Sequence, residues 1–544
     1  MPYPSEIMLA HITILIVTYI VWKLLRWACA PRSPIDNLHG PPARSWLAGH
    51  LPQLYDKQGW AFHHELHARY GPVSRLQGML GQPMLCVYDP LAMHSIVLKD
   101  QHVFEEMQRF LKCGALIDRG LSKLILTKLG IGYILSQALT LIIRLRGAGE
   151  THRKQRKLLN PVFSTKNLRR LTPVFYEVVG RLKNAIKARV DLGASDVDMA
   201  QYMGRAALEV VGKATLGHSF DPLTEERHDP YAEAVKSFVP VRRPLMNLLP
   251  SRRVKRFLNV VDTMHSSAVM IYSQRQREAA ALGYAPEDDE KAKDLITILL
   301  RANAGASEED MLPEDELIAQ LSILVFVATD TSSNALTLIF ERLAEHPHVQ
   351  DRLRAEVVEA RRKYEGGQIP YDDLMSLPYL DAVVRETLRV NVPAQLRLRE
   401  ARADAILPLS KPVQGRDGSL IESIPVPNGT VVFVAIQASN VSEDLWGPDA
   451  REWRPERWLE PLPETVTEAS IPGVYSNLGF KFSQLEIKSI IAELLPMFMF
   501  ERTDVPVVWN LAEVVHPTVG IDSSRPAYPM KVTLVNGPSG VGKA

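Results

Sequence analysis

The chain has 544 residues, 46% of them hydrophobic, with 63 lysines and arginines against 62 aspartates and glutamates and a formal net charge of +1. That balance gives no electrostatic reason to expect nucleic acid as a partner. Three cysteines, Cys29, Cys86 and Cys113, are too few and too scattered for a disulfide framework or a zinc cluster, which favours a body facing a reducing, cytosolic space.

Residues 1–28 read as an N-terminal transmembrane anchor. Ile7 to Trp22 is uncharged, and Leu24, Leu25, Trp27 and Ala28 carry the apolar character past Lys23 and Arg26, whose side chains can snorkel to the interface. A cleaved signal peptide is the competing reading, because Ala28-Cys29-Ala30 has the small residues of a cleavage site. Lys23, Arg26 and Arg32 all follow the apolar run and no basic residue precedes it, so an uncleaved span with a cytosolic body is favoured. Residues 29–45, with Pro31, Pro34 and Gly40-Pro41-Pro42, read as a Pro-rich hinge, a stiff spacer that cannot be helical. No linker or low-complexity stretch divides the rest, so 46–544 is expected to be one large domain.

Gly71 to Leu76 and Pro83 to Tyr88 read as two strands around the Gly81-Gln82 turn, with Asp89-Pro90 opening a helix. Residues 113–148 form an atypical insert. Its uncharged run Ile131 to Ile143 has thirteen residues, a length suited to a buried core helix or, given the flanking Lys123, Lys128, Arg144 and Arg146, to an element on a membrane surface. From about Thr151 to Met375 the pattern is mostly helical, with a charged loop near Asp288 to Lys293. Strands are expected again at Asp404 to Leu407, Leu420 to Val426 and Thr430 to Val434, the last two separated by the Pro427-Asn428-Gly429 turn. The fold class is therefore mainly α with a smaller β region (α+β).

Glu386-Thr387-Leu388-Arg389 sets opposite charges three residues apart on one helix face. Such pairs are usually solvated surface. Here Leu377, Leu380, Val383, Val384 and Leu388 surround the pair, and Pro455-Glu456-Arg457-Trp458 brings a second cation, so a buried Glu386 with Arg389 and Arg457 as partners is expected. Upstream, Phe326 to Ser332 puts an acid and hydroxyls, Asp330 and Thr331 among them, into an apolar helix running from about Glu314 to Ala344. Hydroxyls bonded back to the preceding turn, with Asp330 at the surface, are one reading. A proton relay at a local helix distortion, with small Ala328 leaving room for a ligand, is the other.

Taken together, these segments resemble a cytochrome P-450, a haem-thiolate monooxygenase of the fungal, membrane-anchored microsomal type, over nearly the whole chain. Glu386 to Arg389 is similar to the family's Glu-x-x-Arg helix, Pro455 to Trp458 to its Pro-Glu-Arg motif, and Val327 to Ser332 to its oxygen-activating segment; the Trp446 to Ala450 lead-in agrees. The resemblance implies haem b as cofactor and oxidation of an apolar small molecule with dioxygen and electrons from a separate NADPH-dependent reductase. It also implies an endoplasmic-reticulum membrane location and a setting in fungal secondary metabolism. By the same resemblance Asp330 and Thr331 would supply protons for splitting the O–O bond, and Glu386, Arg389 and Arg457 would lock the haem-side core. His152 and Arg156, one helical turn apart, together with Arg399, would hold the haem propionates.

One departure bears on the metal. The family carries its axial cysteine after the Pro-Glu-Arg motif, and no cysteine follows Cys113 here. Leu478 and Gly479 resemble the residues on either side of the ligand loop, so roughly ten residues, the thiolate included, are missing between them. Asn477 stands nearby in number, but a neutral amide does not replace a thiolate. Cys86, on an early strand, reads as a buried structural thiol, and no metal ligand is assigned. A clean-edged insert at 113–148 and a clean-edged deletion at 478–479 have one common origin in misplaced exon boundaries. The alternative class is a haem-deficient, non-catalytic membrane-anchored scaffold or binding protein. Gly537 to Lys543 matches a phosphate-binding loop up to Ala544, but the helix whose N-terminus that loop would aim is not in the chain, and the motif is rejected.

Overall fold

A computed structural model of the chain describes Thr18 and residues 33–105, 163–193, 196–223, 266–278, 294–307, 310–469, 480–512, 514–523 and 525–535. The expected anchor, the 113–148 insert with Cys113, His152, Arg156, the Leu478–Gly479 junction and the Gly537 to Lys543 run lie outside the described residues. Among the described residues no helix is long and apolar enough to cross a membrane.

In chain order, helix α1 (Trp60–Tyr70) leads to β1 (Val73–Gln77) and β2 (Pro83–Val87), then α2 (Pro90–His94) and β3 (Phe104–Glu105). The helical body follows, with α3 (Thr165–Asp191), β4 (Asp196–Asp198), α4 (Met199–Val211), α5 (Leu295–Ala304), α6 (Glu314–Glu345), α7 (Pro347–Arg362), α8 (Tyr371–Ser376) and α9 (Pro378–Val390). Strands β5 (Leu396–Ala401), β6 (Ala405–Gln414), β7 (Leu420–Val426) and β8 (Val431–Ala435) come next. The chain then adds α10 (Phe480–Leu494), β9 (Phe498–Arg502), β10 (Val507–Asn510), β11 (His516–Val519) and β12 (Pro529–Leu534). This is the mainly α arrangement with a smaller β region that the residue pattern predicts.

β1 and β2 pair antiparallel as expected, and Asp89 caps α2 by accepting a hydrogen bond from the Ala92 amide at 3.0 Å. They form the edge of a five-stranded sheet of order β1-β2-β8-β5-β3. Two features of this sheet are not visible in the residue pattern. The Pro427-Asn428-Gly429 turn does not close a hairpin: β7 pairs with β6, while β8 pairs parallel with β2 and antiparallel with β5. Burial explains the choice, since every residue of β8 is buried and needs a neighbour on both edges, whereas β7 is largely exposed. β5 itself carries Arg397, Arg399 and Glu400, a polar run without the alternation of a half-buried strand, and becomes a strand by lying between β8 and β3.

The described part of the hinge is not a free spacer. Pro34–Asn37 is a short 3-10 turn capped by Ser33, and Ile35 and Leu38 are buried in one apolar cluster with Val73, Leu85 and Val432. The Arg75 amide donates to the His39 carbonyl at 2.8 Å, and the Arg75 guanidinium meets Asp36 at 2.8 Å. Gly40 passes so close that an added Cβ would sit 1.9 Å from the Arg75 carbonyl oxygen. Pro34 starts the turn instead of holding the chain away, because an N-terminal proline loses no hydrogen bond.

The main core is helical. α6 crosses it, packing against α4, α9, α10 and β9. Phe340 of α6 is fully buried, with its ring centroid 4.6 Å from that of Phe500 on β9. Phe340→Ala is expected to cost about 3–5 kcal/mol, read as a lowered denaturation midpoint with secondary structure retained.

Candidate active site

The Glu386 carboxylate is wholly buried on α9, and its two oxygens collect donors from three directions. Arg389, one turn on, donates through Nε at 2.8 Å and Nη2 at 2.7 Å. From the Pro455–Trp458 turn come Arg457 Nε at 3.4 Å and the Trp458 indole N–H at 3.0 Å, and the Arg454 amide adds a bond at 3.0 Å. Arg389 spends its remaining N–H groups on the carbonyls of Asn440, Ala450 and Glu452, at 2.7, 2.5 and 3.1 Å. Its guanidinium lies 4.8 Å from the centroid of the Trp446 ring. Arg457 also pairs with Asp449 at 2.9 Å, and this bond holds the Asp449 carboxyl below the usual carboxylate range. Glu386, Arg389 and Arg457 are thus brought together as the sequence predicts, with every guanidinium partner a carboxylate or a loop carbonyl.

α6 brings the acid and hydroxyls to one stretch without a break in the helix. Thr329 Oγ1 donates to the Val325 carbonyl at 2.7 Å and Thr331 Oγ1 to the Val327 carbonyl at 2.7 Å, so the hydroxyls do fold back on the preceding turn. The expected distortion is absent because these bonds satisfy the hydroxyls within regular geometry. Asp330 is half-buried, and its carbonyl accepts from Ser333 Oγ and Asn334 Nδ2. Val327 is 45% exposed although Val325 and Thr329 beside it are buried. Val327 lies one turn before Thr331 on this helix, so the one exposed apolar side chain described in the stretch is next to the second hydroxyl.

Arg399 lies recessed on β5, next but one to Arg397. Burial first, then the like charge of Arg397, brings its guanidinium down to about 10. Its Nη1 donates to the Leu398 carbonyl at 2.8 Å. A carboxylate brought against this residue would offset both effects, which is the property a propionate-binding position requires.

Comparison with known proteins bears on the same residues. The sequence profile described as Cytochrome P450 matches residues 140–521. The chain belongs to the cytochrome P450 family. It is 43% identical to cytochrome P450 monooxygenase 91 of Postia placenta over 565 aligned positions, covering 97% of this chain and 99% of that one. It is 40% identical to a ganoderic acid synthetase of Ganoderma lucidum, over 94% of this chain and 96% of that one. With a monooxygenase of Hericium erinaceus it shares 33% identity over 96% of this chain and 98% of the relative. Membership makes the reaction class haem-dependent monooxygenation and the family cofactor haem.

The residues present fit that cofactor at one end only. Arg399, whose charge burial and Arg397 disfavour, suits a propionate. The axial position is another matter, because the family's iron is held by a cysteine thiolate. Among the described residues the one cysteine is Cys86, which lies on β2 across from Ser74 of β1 and is buried in an apolar cluster. Burial pushes its thiol up to about 12, the opposite of an activated thiolate. Cys29 and Cys113 precede it and follow it far from the Pro-Glu-Arg turn in sequence, and none comes after. The alignment with the Postia placenta monooxygenase runs over 565 positions yet takes in 97% of a 544-residue chain, so some tens of that relative's residues have no counterpart here. Among the described residues no cysteine is placed to hold the iron.

Residue patterns missed Asn440, Ala450 and Glu452, which act through their carbonyls and carry no side-chain signature. They also missed Glu486, an acid among Phe482, Leu485, Ile487, Ile490 and Ile491 on α10; that apolar setting is the signal that finds it. Glu386→Ala leaves two buried guanidinium groups without their carboxylate and is expected to cost about 3–5 kcal/mol. Chemical denaturation of the full chain measures it, and Arg389→Lys is expected to be nearly as damaging, since an ammonium cannot reach a carboxylate and three carbonyls together.

Proposed function

We propose that this chain represents a membrane-anchored monooxygenase that inserts one oxygen atom into an apolar small molecule, with electrons from a separate NADPH-dependent reductase. The observation that carries this reading is the buried Glu386–Arg389–Arg457 cluster set beneath a central helix that exposes Val327. Relatives named as monooxygenases along nearly the whole chain support the enzyme over the scaffold alternative. The uncharged run Ile7 to Trp22 followed by Lys23, Arg26 and Arg32 supports a single N-terminal span with a cytosolic body, on endoplasmic-reticulum membrane. Ganoderic acid in the name of one relative is consistent with an apolar substrate.

Within this reading Asp330 and Thr331 move protons along α6, Thr331 by releasing its bond to the Val327 carbonyl. Arg399, with His152 and Arg156, binds the propionates. The active form carries a cysteine-bearing loop between Leu478 and Gly479, and the shortened junction and the 113–148 insert arise from misplaced exon boundaries.

Carbon-monoxide difference spectroscopy of the reduced, purified chain tests the ligand assignment. No thiolate-type Soret band is expected from this sequence, and one is expected once the loop is restored; a thiolate band without the loop overturns it. Transcript sequencing across both junctions tests their origin, and a message encoding the same chain refutes the exon explanation. In the restored protein Thr331→Ala is expected to raise oxygen consumed per product formed by about a hundredfold, the lower end of a general acid's contribution; unchanged coupling removes Thr331 from the relay.

A further inference from the structure

Glu341, further along α6 than Thr331, is a buried acid bonded to neutral donors. Its Oε1 accepts from the Tyr528 hydroxyl at 2.8 Å, and the Trp509 indole N–H lies 3.1 and 3.0 Å from its two oxygens. The charged groups beside it are committed to one another and to Asn391: Arg342 donates to Glu345 at 2.7 Å and to Asn391 at 3.2 Å, and Arg502 donates to Glu345 at 2.8 Å. Burial raises the Glu341 carboxyl above the usual carboxylate range, and the Trp509 and Tyr528 bonds draw it back. An indole nitrogen can only donate. The Tyr528 phenol, pushed up by burial and then by the charge of Glu341, keeps its proton and donates as well. Bonds of this kind, to an ionised acceptor away from water, are among the strong ones.

Both donors belong to one unit. Trp509 is on β10, whose sheet among the described residues consists of β10 and β11. Thr518 of β11 bridges to Pro526, and the Ala527 amide donates to the Pro517 carbonyl at 3.1 Å, so Tyr528 is carried alongside the hairpin. A two-stranded hairpin is marginal by itself and depends on what it is tied to. At the start of α1 the Trp60 indole N–H donates to the Trp509 carbonyl at 2.9 Å and Gln58 Nε2 to Asn510 Oδ1 at 2.9 Å, while the Leu511 amide donates to the Lys57 carbonyl at 2.8 Å. Beyond the strand ends the Val515 amide donates to the Pro393 carbonyl at 2.8 Å, in the short connection between α9 and β5. Glu341 adds the tie to the central helix. The hairpin therefore spans from α6, which carries Asp330 and Thr331, to the start of β5, which carries Arg399.

We propose that Glu341 is a positioning residue: by accepting from Trp509 and Tyr528 it seats the β10–β11 hairpin on α6, and through the hairpin's bond to Pro393 it fixes the start of β5, with Arg399, relative to the central helix. An apolar side chain at 341 would fill the same space without distinguishing a seated hairpin from one slid along the helix. A buried acid makes that distinction, because leaving its donors strands a charge away from water. Trp509 gives the seat its direction, since its carbonyl is held by Trp60 while its ring N–H reaches Glu341. The Trp509 and Tyr528 rings lie 6.1 Å apart and tilted by 40°, so the two donors pack on each other as well as bonding the same acid. That the aligned parts are a proton relay and a propionate site rests on the proposed function; the clasp and its reach to Pro393 do not.

Hydrogen exchange of the full chain in detergent decides it without haem or turnover, with the amides of α3 reporting global opening. Glu341→Leu is expected to speed exchange at 507–519 and at 394–398 about tenfold relative to α3, the equivalent of one bond to a charged group. Trp509→Phe, which keeps an aromatic ring but lacks the N–H, is expected to do the same and serves if Glu341→Leu does not fold. Glu341→Gln, whose amide oxygen still accepts, is expected to stay within about threefold of the parent. Combining Glu341→Leu with Trp509→Phe is expected to leave the effect at about tenfold and not about a hundredfold, because both remove the same bond. Multiplied effects in the pair overturn the proposal, as does exchange in Glu341→Gln as fast as in Glu341→Leu. Equal acceleration of α3, or a faster hairpin with 394–398 unmoved, also overturns it. Thr331→Ala is expected to leave both segments at the parental rate, so failure of the relay and failure of the clasp are separable.

Discussion

A carboxylate with no access to water governs the arrangement. Glu386 accepts from the Arg389 fork, Arg457, Trp458 and the Arg454 amide, so it binds α9 to a turn some seventy residues further on. The cations are committed in turn: Arg389 to the carbonyls of Asn440, Ala450 and Glu452, Arg457 to Asp449. Those carbonyls belong to irregular chain that has no sheet to satisfy it, and buried backbone oxygens need partners as much as buried charges do. Helix, loop and turn therefore specify one another. A buried ion cluster is weak evidence for net stability, but it is intolerant of alternatives, and what it enforces here is the path of residues 440–458.

The central helix follows the opposite policy. Its hydroxyls are mostly satisfied by their own backbone, so α6 can be polar in sequence and still pack as an apolar rod. Two positions break this pattern. Val327 is exposed, and the Ser332 hydroxyl is buried without a hydrogen-bond partner among the described residues.

The helices and the first strand pair were legible because their signals are local: the apolar period, the Asp89 cap, the turn at Gly81. Glu386, Arg389 and Arg457 were legible because charges in an apolar setting must find one another. The strand pairings were not. Nothing within Leu420 to Val426 or Val431 to Ala435 says which strand lies alongside, and the turn between them suits a hairpin as well as a change of sheet. β5 escaped for a related reason, since its arginines look like surface until the flanking strands are present. Proline misled at the hinge, where two apolar residues, Ile35 and Leu38, outweigh the stiffness of Pro34. The lack of a cysteine after Cys113, by contrast, is legible only in the sequence, since the Leu478–Gly479 junction lies outside the described residues.

That docked hinge has a geometric consequence. With Ile35 and Leu38 seated in the sheet cluster, only residues 29–32 remain between the end of the proposed span and the folded body. Four residues reach about 14 Å at most when extended. Under the proposed anchor, the edge of the five-stranded sheet would be tethered within a headgroup layer's depth of the hydrocarbon, and the body could tilt about that point but not roll freely over the bilayer.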